Sequence, residues 1–331
     1  MKTLKSRALL TLTAGVALAA NAGVSAAETL KLAHFVSPAH VVNSAVVYPL
    51  KEGVEKQTNG ELEIKVYPGG ELGSGPTEQY PRVLQGVADI VWGLPGYTSS
   101  QFKKSMVVEM PGAIPDDMHG YDMLWNAYED QLKSEFPGTK PLALWVSEPN
   151  IFIMKDEEIR TPEDLEGLKI RVSGEMTAAL IDAYGGTPVQ MPAGEIYNSL
   201  QTGLIDGLVT GASAVNDFKL DEVANVYSVG APLGHIMFYL AMNQNKYDSL
   251  SAEFQQAIDD NSGEKLSRSG EQGWNARANE TLKAIREDAD NEVIELDPEE
   301  IAAFERIADD FREQRLAEKG TNDVLDAMRG E

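Results

Sequence analysis

The sequence predicts an α/β protein built as two lobes, and three observations lead there. Short apolar strands alternate with stretches of helical periodicity along the chain. Setting aside residues 1–26 of the 331, read below as a signal, 305 residues remain, long for a single core and suited to two lobes of about 100–150 residues each. A pattern in the first half, YPRVLQGVADIVW from Tyr80 to Trp92, returns in the second as YNSLQTGLIDGLV from Tyr197 to Val209. The shared frame pairs Gly86 with Gly203 and Asp89 with Asp206, and each copy reads as a helix closed by glycine, a tight turn and a buried strand. The echo is either a chance likeness of two such units or the mark of two lobes made on one plan.

Taken in order, residues 1–26 read as a secretory signal. Lys2, Lys5 and Arg7 precede an apolar run from Ala8 to Ala20, and the small residues up to Ala27 offer cleavage after Ala26 or Ala27. The apolar run falls short of the roughly 20 residues that span a bilayer. Thr29 to Ala33 alternates as a strand, and Val41 to Lys56 repeats apolar residues at helical spacing. Leu62 to Tyr67 is a half-buried strand, followed by the Gly/Pro loop Pro68 to Pro76 and a helix from Thr77 to Gln85. Further strands are expected at Ile90 to Trp92, Pro141 to Val146, Ile151 to Lys155, Lys169 to Val172 and Thr187 to Gln190. Such alternation implies largely parallel sheets. The run IMFYLAMN around Met237 and Tyr239 reads as a buried strand crossing between lobes. From Ser251 to Glu287 the chain is helical and softened at Gly263, Gly270 and Gly273. Asp297 then caps another helix, with Pro298 in its first turn and acids at its positive end.

The formal charge is −24; without the signal, 25 basic residues face 52 acidic ones, a net −27. That surface repels nucleic acid and anionic membranes, and an anionic ligand needs a local positive site. With no cysteine there is no thiolate chemistry and no zinc–thiolate site. No GxSxG elbow is present, the four histidines are scattered, and neither a cofactor nor a metal ion is called for. Asp116, Asp117 and His119 offer metal-ligand types, but the default reading is a polar loop.

Arg171 is the most informative residue. In DLEGLKIRV it lies between Ile170 and Val172, so it shares a strand face with Lys169 and Ser173 while its neighbours face the other way. A guanidinium where a strand runs out toward a cleft suits a bidentate grip on a carboxylate; the bland alternative is a surface arginine or one paired to a nearby acid. His34 and Phe35 end the first strand, where loops of α/β sheets meet ligands. His40, in SPAH, reads as part of a helix entry. Trp92, Tyr97 and Trp145 fall at or beyond strand ends and are either core or walls of a ligand pocket. Tyr97, Thr210, His34 and His235 offer hydrogen bonds.

The set KLAHFVSPAH, YPGGELG, QGVADI, DLEGLKIRV and EIYNSLQTGLIDG resembles the DctP-type substrate-binding proteins of tripartite ATP-independent periplasmic (TRAP) transporters, over nearly the whole mature chain. The resemblance implies a two-lobed, Venus-flytrap fold with hinge strands and a long helix spanning both lobes, located in the periplasm. It places lobe I at 28–148 plus 237–276 and lobe II at 149–236 plus 277–331. It implies a binding protein rather than an enzyme, holding a small organic acid and partnered by small and large integral membrane subunits driven by an ion gradient. It carries the carboxylate-gripping role onto Arg171, and ligand contacts onto His34, Phe35, Trp92, Gly93, Leu94 and Thr210. Relatives that bind sugar acids have polar groups where this chain has Leu94, Ile151, Ala193 and Thr210, which favours a smaller or more apolar monocarboxylate, such as an aromatic one. The rival readings are an ABC-type binding protein and a periplasmic enzyme acting on a small acid.

Overall fold

A computed structural model describes residues 27–331; the signal segment expected at 1–26 lies outside the described residues. Among the described residues, eleven strands form two mixed sheets: β1 (Glu28–Ala33), β2 (Leu62–Tyr67), β3 (Ile90–Gly93), β4 (Thr139–Val146), β5 (Asn150–Met154), β6 (Lys169–Val172), β7 (Thr187–Gln190), β8 (Gly207–Gly211), β9 (Val226–Val229), β10 (Met237–Asn243) and β11 (Glu292–Glu295). The first sheet runs β2-β1-β3-β10-β4 and the second β11-β9-β5-β8-β6-β7.

Read from β2 and from β7, the two sheets follow one plan. β2, β1 and β3 are parallel, as are β7, β6 and β8. In each sheet the next strand, β10 or β5, is antiparallel to both its neighbours. These two strands arrive from the opposite lobe, which is why the sheets are mixed rather than parallel throughout. The echo in the sequence marks the equivalent units. Gly86 and Gly203 close their helices at φ 69° and 71°, where a side chain would be strained. Asp89 accepts the backbone N–H of Lys31 at 2.7 Å, and Asp206 accepts that of Lys169 at the same distance, tying each turn to the strand beside it.

The chain crosses between lobes at 147–149, at 230–236, along the helix Glu264–Glu287 and again between Lys319 and Asn322. That helix is about 36 Å long at 1.5 Å per residue and touches both sheets. Its first half lies on β4, with Ser267 Oγ accepting the N–H of Leu144 at 2.9 Å. Its second half places Ala278 and Ile285 in the apolar core of the second lobe. Gly263 begins the helix, but Gly270 and Gly273 do not soften it. A Cβ at Gly270 would come within 2.9 Å of the Trp145 ring, and one at Gly273 within 2.3 Å of Ala45. Both are places where the helix lies too close for a side chain.

The helix Pro298–Lys319 has the expected cap, Asp297 accepting from Glu299 and Glu300 N–H. Its Phe304 packs on Phe152 and Tyr184 in the second lobe. The last helix, Asn322–Arg329, departs from the expected division: it returns to the first lobe against Gly120–Ala127, with Asn126 Nδ2 donating to Met328 O at 3.2 Å.

Candidate ligand-binding cleft

Between the lobes lies a cavity, part of it open to solvent. Both lobes and the long helix line it: Phe35, Trp92, Leu94 and Tyr97 from the first, Arg171, Ser173, Ala193 and Thr210 from the second, and Trp274 from the helix. The strand alternation explains Arg171. Ile170 and Val172 enter the hydrophobic core, leaving Arg171 and Ser173 on the cavity side.

Arg171 is 2% exposed, yet it pairs with no acid among the described residues. Its Nε and Nη2 both donate to the carbonyl of Met191, at 3.0 and 2.8 Å, and Nη2 also reaches Tyr97 Oη at 3.3 Å. Nη1 has no hydrogen-bond partner among the described residues. Burial works against the charge and pulls the pKa of the guanidinium down, with Tyr97 opposing it. The result is a fixed, dehydrated cation held by neutral groups, with one donor nitrogen uncommitted.

Tyr97 also ties the lobes together. Its hydroxyl accepts the N–H of Ala193 at 3.1 Å as well as the arginine. Beside it the backbones of Gly96 and Gly174 meet so closely that a Cβ on Gly174 would lie 2.7 Å from Gly96 Cα. The lobes are closed on one another.

Aromatic rings make the apolar wall. Phe35 stacks on Trp92 at 4.9 Å and 18°, Trp92 on Phe238 at 5.7 Å and 27°, and Phe238 lies 4.9 Å from Trp274. The Trp92 indole N–H is buried with no hydrogen-bond partner among the described residues.

Four residues expected at the site lie elsewhere. His34 is wholly buried behind the wall, with Nε2 3.0 Å from Asn43 Oδ1. Because Asn43 Nδ2 donates to the Ser37 carbonyl, its Oδ1 accepts, so His34 bears its proton on Nε2 and positions the loop carrying Phe35. Gly93 faces away, against the Tyr239 ring. Trp145 sits under the long helix at Gly270. His235 lines a separate cleft near the crossing segments, with Nδ1 2.9 Å from the Ser147 carbonyl. Ile151, one of the apolar positions read as facing the ligand, belongs to the second lobe's core.

Several lining residues were not foreseen, among them His40, Ser147, Asp217, Phe218, Phe238 and Trp274. His40 does serve the helix entry, its Nδ1 accepting the Val42 N–H at 3.1 Å. That bond leaves the proton on Nε2, which lies 3.5 Å from Asp217 Oδ2 across the lobe boundary. Burial, helped by His34 and Arg277, lowers His40 to about 3, and burial raises Asp217 to about 6. At neutral pH this is a neutral imidazole beside a carboxylate rather than an ion pair. Alternation along β10, with Met237 and Tyr239 in the core, could have placed Phe238 in the cleft. Asp217 and Trp274 come from separate helices and carry no local signal.

The profile of the DctP family, described as bacterial extracellular solute-binding protein family 7, matches residues 32–318, and the chain belongs to that family. The ectoine-binding periplasmic protein TeaA of Halomonas elongata is 28% identical over 293 residues, 83% of this chain and 82% of that protein. A TRAP solute-binding protein from an unidentified marine microbe, specific for aromatic acid ligands and solved with metahydroxyphenylacetate, superimposes with a TM-score of 0.84 at 26% identity, covering 92% of this chain and 98% of that one. Another, from Rhodoferax ferrireducens and holding copurified benzoate, gives 0.82 at 29% identity over 91% and 96%. The protein is thus a solute-binding protein of the TRAP type, in a family of binding proteins. Among the described residues no helix is long and apolar enough to cross a membrane.

Proposed function

We propose that this protein is exported to the periplasm, where it captures a small aromatic monocarboxylate between its lobes and presents the closed complex to small and large membrane subunits. The observation that carries this reading is Arg171: a buried guanidinium whose contacts are a carbonyl and a phenol, facing a cavity walled by aromatic rings. A buried charge is costly until it is paired, and a carboxylate supplies both the countercharge and acceptors for Nη1. The aromatic wall offers flat apolar area to a ring. The ligands named for the two solved relatives, metahydroxyphenylacetate and benzoate, have this chemistry. Closure would exclude water and strengthen the charged pair, so ligand shifts the population toward the closed form that the membrane partners recognise.

A thermal-shift screen of aromatic, aliphatic and sugar acids tests the reading. A ligand present at 100 times its Kd adds ~2.7 kcal/mol of stability. Aromatic monocarboxylates should raise Tm most, and a response confined to sugar acids would overturn the proposed substrate class. N-terminal sequencing of secreted protein checks the export step, with a start directly after Ala26 or Ala27 expected.

A further inference from the structure

We propose that Asp217 forms a second recognition pole in the cleft, selecting cyclic monocarboxylates that carry a hydrogen-bond donor on the ring and rejecting dicarboxylates. The inference rests on the reading of Arg171 as the carboxylate-binding group and names what the other part of the ligand must offer.

Asp217 lines the same cavity as Arg171, and its side chain is 3% exposed. Oδ2 is committed to the lobe boundary, accepting the Val41 N–H at 3.3 Å beside His40 Nε2. Oδ1 has no hydrogen-bond partner among the described residues. The groups around it do not neutralise it. His40 holds its proton on Nε2 and is neutral; Arg277, on the long helix, draws the acid down without forming an ion pair among the described residues. Glu148, at the crossing segment, is a second buried carboxylate that accepts the Ser213 N–H at 2.7 Å.

Charge counting then constrains the ligand. One carboxylate neutralises Arg171 and leaves Asp217 as a dehydrated anion in an aromatic-lined space. A second carboxylate on the ligand would meet like charge there. A ring hydroxyl, or the N–H of a cationic ring, would instead donate to the uncommitted Oδ1. A site built to accept such a bond disfavours the analogue lacking it, because its own polar group is left unpaired.

Calorimetry of the mature protein with four kinds of probe tests this: benzoate, the three hydroxybenzoates, ectoine as a cyclic cationic zwitterion, and phthalate. Wild type should bind the best hydroxybenzoate or ectoine at least ~10-fold more tightly than benzoate, with phthalate weakest. Asp217→Ala should bring the donor-bearing ligand and benzoate to near-equal affinity. Asp217→Asn keeps size and an acceptor; it should retain a hydroxyl preference, lose any preference for ectoine and admit phthalate. The two variants thereby distinguish a hydroxyl from a cationic donor, and Asp217→Asn remains informative should Asp217→Ala not fold. Equal affinity of wild type for benzoate and every donor-bearing probe, or an unchanged ratio in both variants, overturns the second pole while leaving the role of Arg171 intact. Binding that survives Arg171→Met overturns the underlying reading instead, and a wild type that binds none of the probes overturns both.

Discussion

In its proposed role, Arg171 sets up opposing demands on stability and binding. Without an anion its charge is buried against neutral groups, and replacing such a charge by an apolar side chain of similar volume is often neutral or stabilising. Arg171→Met should therefore leave the ligand-free Tm unchanged or raise it, while removing ~2–5 kcal/mol of binding energy. Parallel thermal melts with and without ligand check both halves. A second residue makes a pH prediction. Glu109 is buried where the chain crosses between lobes, and its Oε1 accepts the Met237 N–H at 2.9 Å. Burial raises its pKa from 4.5 to about 8. A carboxyl raised on folding contributes stability at low pH, and that contribution is lost as pH climbs from about 4.5 through about 8. Glu109→Gln keeps the acceptor and removes the titration, so the variant should gain on wild type between pH 5 and pH 8; denaturant midpoints at the two pH values give the comparison. The cavity side of Arg171 was legible because strand parity depends on local sequence alone. Trp145 and Trp92 could not be told apart in this way, since the helix that covers one of them lies more than a hundred residues further along the chain.

At the scale of elements, glycines record where backbones meet. Ala at Gly270 would gain about 1 kcal/mol of helix propensity but press a Cβ into the Trp145 ring, an overpacking cost of ~1–3 kcal/mol. Gly270→Ala is expected to lower Tm in spite of its better propensity. Gly174→Ala should behave differently. Its φ of −154° is open to any residue, and its obstruction is Gly96 across the lobe boundary. The substitution should weaken ligand binding and leave small-angle scattering profiles with saturating ligand more open than wild type, with little loss of fold stability. The strands with strong alternation and the capped helix at Asp297 could be read from sequence. β9 and β11 could not, being four residues each, one of them charged at both ends. The two helical glycines were misread because sequence shows a missing side chain but not the neighbour that forbids one. The echo between Tyr80 and Tyr197 was legible as a likeness, and the matching strand orders give it a cause.

Residues 27–331 hold 25 basic and 52 acidic side chains, a net −27, so an anionic ligand approaches against the global field. Salt shortens the screening length from ~30 Å at 0.01 M to ~8 Å at 0.15 M. The association rate of an organic acid should rise across that range, and stopped-flow tryptophan fluorescence is suited to follow it, since Trp92 and Trp274 line the cavity. A falling rate would show that local positive charge outweighs the net. Closure joins these scales: Tyr97 holds Arg171 and Ala193 from the opposite lobe, so the proposed anion site is completed as the lobes meet. The most direct measurement is calorimetric titration of benzoate and the hydroxybenzoates into wild type and Arg171→Met, both first shown to be folded. One-to-one binding by wild type and a loss of ~30-fold or more in the variant are predicted. Equal affinity in the two proteins would contradict capture at this guanidinium.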